Sequence, residues 1–165
     1  MALKTLLIIR HAKSSWNTGS LNDFERPLNE RGKKDAPIMA QKLIEAGINI
    51  DAFISSPAKR AKKTAELFCE EYKRKETDII FVSALYHATV QTFYQTIENI
   101  DDAFATIALF SHNPGITSFV NELTDSVTIG NMPTCGVFAV KINIEKWKGF
   151  AKSPKEFFFF DYPKA

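Results

Sequence analysis

Residues 6–9 read Leu6-Leu7-Ile8-Ile9, and residues 10–17 continue as Arg10-His11-Ala12-Lys13-Ser14-Ser15-Trp16-Asn17. The apolar run predicts a buried strand, which places the arginine and the histidine at the end of that strand. A histidine in this position can act as a nucleophile, and the arginine beside it can hold the anion that is attacked. On its own the pair is a weak signal, because most Arg-His dipeptides are accidental.

Two further stretches place an arginine and a histidine after apolar runs, and they read Ser56-Pro57-Ala58-Lys59-Arg60-Ala61 and Ser111-His112-Asn113-Pro114. Taken singly, a histidine at a strand end is more often structural, and an arginine among lysines is typical of a solvated helix face. Together, two arginines and two histidines at strand ends predict a phosphate-binding site. Its candidate catalytic residues are Arg10, His11, Arg60 and His112.

Length and composition predict an ordinary globular protein. The 165 residues are expected to form a single domain over 1–165, and 45% hydrophobic and 24% charged residues are usual values. A formal net charge of +2 gives no reason to expect binding to nucleic acid or to a membrane surface. Two cysteines, Cys69 and Cys135, fit a reducing, cytoplasmic environment better than a disulfide framework. We also expect no signal peptide and no membrane helix.

Strand-like and helix-like segments alternate along the chain. Strands are predicted over residues 4–10, 52–56, 79–83, 105–111, 137–143 and 156–160, and helices over residues 34–46, 57–73, 89–100 and 114–124. The first helix carries Pro37, which is tolerated in a first turn, and the last strand is expected to be buried. This alternation predicts an α/β domain with a mostly parallel central sheet flanked by helices. Ligands of such sheets bind beyond the carboxyl ends of the strands, where the candidate residues fall.

The candidate residues support a specific reaction. A neutral imidazole is a competent nucleophile near neutral pH, and attack by His11 on phosphorus would give a phosphohistidine that water hydrolyses. Arg10 and Arg60 would hold the phosphoryl oxygens, and a protonated His112 would add a third positive donor. Ser14 and Asn17 could complete the site by hydrogen bonding. No metal or other cofactor is expected, because the three histidines show no ligand spacing.

These motifs resemble those of the histidine phosphatase superfamily, which includes the phosphoglycerate mutases, and more closely those of its SixA-type phosphohistidine phosphatases. Arg10-His11 is similar to the family's Arg-His-Gly signature, and Arg26-Pro27-Leu28 with Arg31-Gly32 resembles its Arg-Pro-Leu element. The stretch from Ser55 to Ala65 resembles the second-arginine motif, and Ser111-His112-Asn113-Pro114 resembles the second-histidine motif. The resemblance implies a phosphoglycerate mutase-like fold without cap insertions. It also implies that His11 accepts the phosphoryl group, and that the substrate protein is a histidine-containing phosphotransfer domain.

One departure from the family pattern bears on the substrate. Mutases and acid phosphatases of the superfamily supply a carboxylic acid after the third strand, but residues 83–88 read Ser83-Ala84-Leu85-Tyr86-His87-Ala88. An alkoxide leaving group needs such an acid, whereas an imidazole leaves a phosphoramidate readily. The missing acid therefore favours phosphohistidine, or another activated phosphate, over phosphomonoesters, and the lack of cap insertions suits a phosphohistidine presented by a partner protein. A small-molecule phosphomonoesterase and a non-catalytic phosphate-binding protein remain alternatives. An acid from the 14–32 loop, with Asp23 and Glu25 as first candidates, would favour the phosphomonoesterase.

Overall fold

The computed structural model describes residues 3–16, residue 19 and residues 21–164. Six strands and four α-helices follow one another in the predicted order. The strands are Leu3–Arg10 (β1), Ala52–Ser55 (β2), Ile80–Phe81 (β3), Thr106–Ser111 (β4), Val137–Asn143 (β5) and Lys155–Asp161 (β6). The helices are Glu30–Glu45 (α1), Lys59–Glu71 (α2), Val90–Glu98 (α3) and Gly115–Leu123 (α4).

All six strands form one sheet in the order β3-β2-β4-β1-β5-β6. Strands β1 to β4 are parallel to one another, whereas β5 is antiparallel to both of its neighbours, β1 and β6. The predicted α/β fold with a mostly parallel sheet is therefore confirmed. Among the described residues, no helix is long and apolar enough to cross a membrane.

Two hydrophobic layers enclose the sheet, and β1 contributes to both of them. Leu6 and Ile8 belong to the cluster that also contains buried side chains of α3 and α4, whereas Leu7 and Ile9 belong to the cluster with side chains of α1 and α2. All four are fully buried, which explains why this strand reads as a continuous apolar run rather than as an alternating pattern. Burial on both faces fixes β1 in the sheet, and the residues that follow it are positioned accordingly.

Two local predictions are wrong. Helix α1 begins at Glu30 rather than at residue 34, because the side chain of Asn29 caps it by accepting a hydrogen bond from the Gly32 N–H. Pro37 therefore lies inside the helix instead of in its first turn. Strand β6 is the edge of the sheet, so its phenylalanines are not all buried. Phe158 is 39% exposed, and the Lys141 ammonium lies 4.0 Å from the centre of its ring.

Candidate active site

The carboxyl ends of three neighbouring strands bring the candidate residues together. Arg10, the last residue of β1, is in register with Ser111, the last residue of β4. On the other side of β4, Ser55 is in register with Phe110. His11, Ser56 and His112 therefore leave the sheet side by side, as the parallel topology requires. The ring centres of His11 and His112 are 5.1 Å apart.

The His11 imidazole is held in one tautomer. Its Nδ1 lies 2.8 Å from the carbonyl oxygen of Ala12, which can only accept a hydrogen bond, so Nδ1 carries the proton and Nε2 presents its lone pair. Burial lowers the pKa of His11 to about 3. The hydrogen bond to Ala12 opposes this effect, and the charges of Arg60, Arg10 and Arg26 add to it. The imidazole is therefore neutral at physiological pH, as a nucleophile must be.

Arg60 is buried against His11, and hydrogen bonds connect its backbone to the loop after β1, residues 11–13, which we call the nucleophile loop. Its Nε donates to His11 Nε2 over 3.3 Å. The hydroxyl of Thr64 donates to the carbonyl oxygen of Arg60 and accepts a hydrogen bond from the Ala12 N–H. Thr64 thus joins the start of α2 to the loop after β1. The sequence comparison included Thr64 in a motif but did not predict this positioning role.

The backbone around Arg10 and His11 is fixed from two further sides. The Cys135 N–H lies 3.1 Å from the carbonyl oxygen of Arg10 and 3.0 Å from that of His11, and Cys135 adopts a left-handed conformation with φ of 58°. At Gly32, a Cβ atom would lie 2.1 Å from the carbonyl oxygen of Lys13. Only glycine allows α1 to approach the nucleophile loop this closely.

A third arginine, Arg26, lies in the same cluster. It is buried, its Nη2 donates to the Ser14 hydroxyl over 2.9 Å, and its guanidinium carbon lies 3.4 Å from the centre of the Trp16 ring. Burial lowers the pKa of both Arg10 and Arg26, and mutual repulsion with Arg60 lowers both further. All three nonetheless stay protonated, because an arginine does not lose its proton in proteins. The sequence predicted only two of these arginines, since Arg26 was noted in a motif but given no role.

His112 lies next to His11 and is neutral. Burial lowers the pKa of His112 far below its usual value, and the neighbouring His11 and Arg60 act in the same direction. At neutral pH His112 therefore offers a neutral N–H donor rather than the positive donor that a protonated imidazole would supply. Its Nε2 lies 2.7 Å from the hydroxyl of Ser56, which itself accepts a hydrogen bond from the Ala58 N–H. The serine hydroxyl can then donate to Nε2, which leaves the proton of His112 on Nδ1, available to a ligand.

Unpartnered donors identify what the cluster can bind. Five buried side-chain polar atoms in the described part of the chain have no hydrogen-bond partner: Arg10 Nε, Arg26 Nε, Arg26 Nη1, His112 Nδ1 and Thr124 Oγ1. Four of the five belong to the cluster around His11. An unsatisfied buried donor costs ~1–3 kcal/mol, so such a group usually has a functional reason. The nitrogen donors of Arg10, Arg26 and His112, in the same cluster as a neutral imidazole, form a cradle suited to an anion with several oxygens, such as a phosphoryl group.

Folding also brings a carboxylate to the cradle. Asp23 accepts hydrogen bonds from Arg60 through both its backbone oxygen (2.7 Å) and Oδ2 (3.1 Å), and Oδ2 also accepts from the Tyr86 hydroxyl over 2.7 Å. The hydrogen bond from Tyr86 lowers the pKa of Asp23 most, and Arg60 lowers it further, while burial opposes them. Asp23 is therefore ionised at neutral pH and is not a proton donor. Glu25, the other acidic candidate, is exposed on a neighbouring groove.

The remaining predictions for the site have different outcomes. Ser14 is buried and its hydroxyl contacts Arg26, so its placement indicates positioning of that arginine; a direct contact with phosphate stays a prediction. Asn17 lies outside the described residues. His87 is exposed. Within the part of the chain that the structure describes, no three histidine, cysteine or carboxylate side chains are grouped as metal ligands.

Comparison with known proteins identifies the family. The sequence profile of the histidine phosphatase superfamily (branch 1) matches residues 6–86, a range that contains Arg10, His11, Arg26 and Arg60. An uncharacterised chloroplastic protein of Arabidopsis thaliana is 30% identical over 154 residues, which cover 88% of this chain and 69% of that protein. The chain belongs to the histidine phosphatase superfamily.

More specific relatives are similar over less of their length or at lower identity. The 2,3-bisphosphoglycerate-dependent phosphoglycerate mutase of Bartonella henselae is 34% identical over 84 residues, which are 50% of this chain and only 41% of the mutase. A crystal structure assigned to the phosphohistidine phosphatase SixA of Agrobacterium tumefaciens superimposes with a TM-score of 0.79 at 21% identity and covers 98% of this chain and 99% of that one. The fold is thus the compact fold seen in that SixA structure.

Proposed function

We propose that the chain is a phosphatase that works through a phosphohistidine on His11 and removes phosphate from phosphohistidine on a partner protein. The observation that carries the proposal is the set of buried donors on Arg10, Arg26 and His112 that have no hydrogen-bond partner and lie in the same cluster as a neutral imidazole. A protein that only bound phosphate would not need a nitrogen lone pair at the centre of the cradle.

The reaction has two steps. In the first, the lone pair of His11 Nε2 attacks phosphorus, and the bond between phosphorus and the substrate's imidazole nitrogen breaks. The leaving imidazole takes a proton from water. In the second, a water molecule attacks the phosphorus on His11, the bond to Nε2 breaks, and inorganic phosphate is released. The guanidinium groups of Arg10, Arg26 and Arg60, together with His112 Nδ1–H, stabilise the charge on the phosphoryl oxygens in both steps.

The state of Asp23 supports phosphohistidine as the substrate. Its carboxylate is the acidic group at the cradle, but it is held ionised by Tyr86 and Arg60. A phosphomonoester would need a positioned acid to protonate its alkoxide, whereas the imidazole of a phosphohistidine leaves more readily and can take its proton from water. A protein-borne phosphohistidine also fits a fold that carries little beyond the sheet and its helices.

Partner, location and cofactor needs are part of the proposal. A histidine-containing phosphotransfer domain is proposed as the substrate protein on the sequence resemblance alone. A cytoplasmic location is supported by the two cysteines, Cys69 and Cys135, which are both free and buried. The proposal includes no metal, other cofactor, nucleic acid or membrane, because three arginines already meet the charge of the phosphoryl group.

The experiment that tests the substrate is a comparison of kcat/KM for a phosphohistidine peptide, phosphoserine and a sugar phosphate. We expect phosphohistidine to be preferred by at least ~10², the low end of what one general acid contributes. The kcat/KM for activated aryl phosphates should lie between that for phosphohistidine and those for phosphoserine and the sugar phosphate.

The second candidate is a small-molecule phosphomonoesterase, which is favoured by the similarity to the Bartonella mutase and by the presence of a carboxylate at the cradle. Equal rates for sugar phosphate and phosphohistidine, with the sugar-phosphate rate falling selectively in Asp23→Asn, would establish that candidate instead. His87→Ala should barely alter phosphohistidine turnover, because that reaction needs no acid from the histidine that follows Tyr86 in the chain. If neither phosphohistidine nor phosphomonoesters are hydrolysed, the remaining candidate is a non-catalytic phosphate-binding protein.

A further inference from the structure

A groove with an apolar floor opens beside the phosphate cradle. It has a volume of about 580 Å³, and Phe24, Pro27, Leu28 and Pro57 contribute its apolar surface. The loop before α1 forms one wall and the first turns of α2 form the other. Phe24 is 38% exposed and presents part of its ring to this groove.

The groove is continuous with the cradle through the chain itself. Phe24 follows Asp23, which accepts hydrogen bonds from Arg60, and Lys59 precedes Arg60 in α2. Phe24 also packs edge-on against Tyr86, with ring centres 5.1 Å apart, and Tyr86 donates to Asp23. A molecule that lies in the groove therefore touches residues next to those that hold the phosphoryl group.

Lysines dominate the charge of the groove. Lys33, Lys59, Lys62 and Lys63 line it, against only two glutamates, Glu25 and Glu66. Lys33 pairs with Glu30, but Lys59, Lys62 and Lys63 form no ion pair with any residue that the structure describes. The cradle has its own buried donors for the phosphoryl group, so these three ammonium groups lie outside it. The Lys62 ammonium lies 5.8 Å from the centre of the Phe81 ring, and none of the three is neutralised by a carboxylate among the described residues, so they can make a second anionic contact.

We propose that this groove, which we call the lysine groove, docks an acidic surface segment of the substrate protein, next to the phosphohistidine. The inference rests on the proposed function, since it assigns the region of the substrate that flanks the reacting side chain. The apolar floor suits side chains that accompany the carboxylates, and the three lysines supply the complementary charge. Charge complementarity of this kind accelerates association by 10–10³ and weakens as salt screens it.

The test uses two synthetic phosphohistidine peptides that differ only in their flanking residues, which are acidic in one and neutral in the other. We expect kcat/KM to be about tenfold higher for the acidic peptide at low ionic strength, through KM rather than kcat, and the preference to fall as salt is added. In the triple variant Lys59→Glu, Lys62→Glu, Lys63→Glu, the acidic peptide should lose its advantage or become the poorer substrate.

A matched control reverses three exposed lysines elsewhere: Lys146→Glu, Lys148→Glu and Lys152→Glu. These residues lie around Trp147, whose ring faces Lys4 at the amino end of β1. The cradle lies at the carboxyl end of β1, so the control residues are at the other end of the strands. The control changes the net charge equally, and we expect it to keep most of the preference for the acidic peptide.

The outcomes separate the two proposals. If both peptides are hydrolysed at equal rates, or if the preference survives in the groove variant, the lysine groove is not a docking site but the phosphohistidine phosphatase stands. If the groove variant and the control lose the preference equally, net charge alone is responsible and docking is refuted. If neither peptide is hydrolysed while sugar phosphates are, the proposed function fails and the inference fails with it.

Discussion

Arg60 provides the sharpest test of the cradle, because its removal should affect catalysis far more than stability. Arg60→Ala removes a guanidinium that is 5% exposed and lies 3.3 Å from the nucleophilic nitrogen of His11. A preorganised charged donor to a transferring phosphoryl group contributes ~3 kcal/mol, and each ~1.4 kcal/mol is tenfold in rate. We therefore expect kcat/KM for a phosphohistidine peptide to fall by about 10².

Stability should respond differently to the same change. The ion pair that Arg60 forms with Asp23 is half-exposed on the carboxylate side and is worth no more than ~1 kcal/mol. Against this, Arg60 repels two other arginines in the cluster, as the lowered pKa values of Arg10 and Arg26 show. The free energy of unfolding of Arg60→Ala should therefore lie within about 1 kcal/mol of that of the unchanged protein. Arg60→Lys keeps the charge without the fork and should lose about tenfold in rate.

Arg74 is the matched control for Arg60. It is also an arginine of the α2 region whose guanidinium donates two hydrogen bonds, but to the carbonyl oxygens of Ile50 and Asp51, at the amino end of β2. Arg74→Ala should lower stability by about 1 kcal/mol and leave kcat within about twofold. Urea unfolding and steady-state kinetics on the same preparations measure both quantities. A loss below tenfold in Arg60→Ala, or a rate loss that parallels a loss of stability, would refute the assignment.

Three further predictions concern the nucleophile, the charge and the buried histidines. His11→Ala should fold but retain no more than ~1% of activity, and enzyme quenched in alkaline detergent should carry acid-labile, base-stable phosphate only when His11 is present. Activity should survive exhaustive chelation; a loss that magnesium restores would contradict the arginine cradle. Burial lowers the pKa of His11 to about 3 and lowers that of His112, so the unfolded chain takes up their protons at a higher pH than the folded one. Their contribution to stability is complete above about pH 6.5 and is lost as the pH falls, by about 2–3 kcal/mol between about pH 7 and pH 5.5. Urea titrations should show this slope in the unchanged protein and a flatter one in the double variant His11→Asn, His112→Asn.

The strands, the helices and their order could be predicted because the local pattern of apolar residues determines them. Continuous apolar runs and helical periodicity gave the strands, the helices and their order, because burial on both faces of a parallel sheet leaves a clear signal in the sequence. The same pattern located the carboxyl ends of the parallel strands, and so it predicted that four residues lie together there: Arg10, His11, Arg60 and His112. Arg10 ends β1, His11 and His112 directly follow β1 and β4, and Arg60 lies in the first turn of α2, the helix that follows β2.

The unpredicted parts depend on the loop between β1 and α1. This stretch has no periodicity, so nothing in the sequence shows that Arg26 packs between Ser14 and Trp16, or that Asp23 reaches Arg60 and Tyr86. The start of α1 did carry a signal, since Asn29 three residues before Gly32 is a typical helix cap. The expectation that Pro37 stands in a first turn placed the start of the helix at residue 34 instead.

Asp23 pairs with Tyr86 and Arg60, so a carboxylate reaches the cradle although none follows the third strand. The sequence has no carboxylate after the third strand and offered Asp23 of the 14–32 loop as a candidate acid; the structure places Asp23 at the cradle and holds it charged. An ionised Asp23 occupies the outer donors of Arg60, Nη1 and Nη2, while Nε faces His11. Asp23 thereby orients the guanidinium toward His11. Under the proposed function, its negative charge would disfavour substrates whose leaving oxygen becomes negative, so the carboxylate would contribute to selectivity for phosphohistidine without taking part in proton transfer.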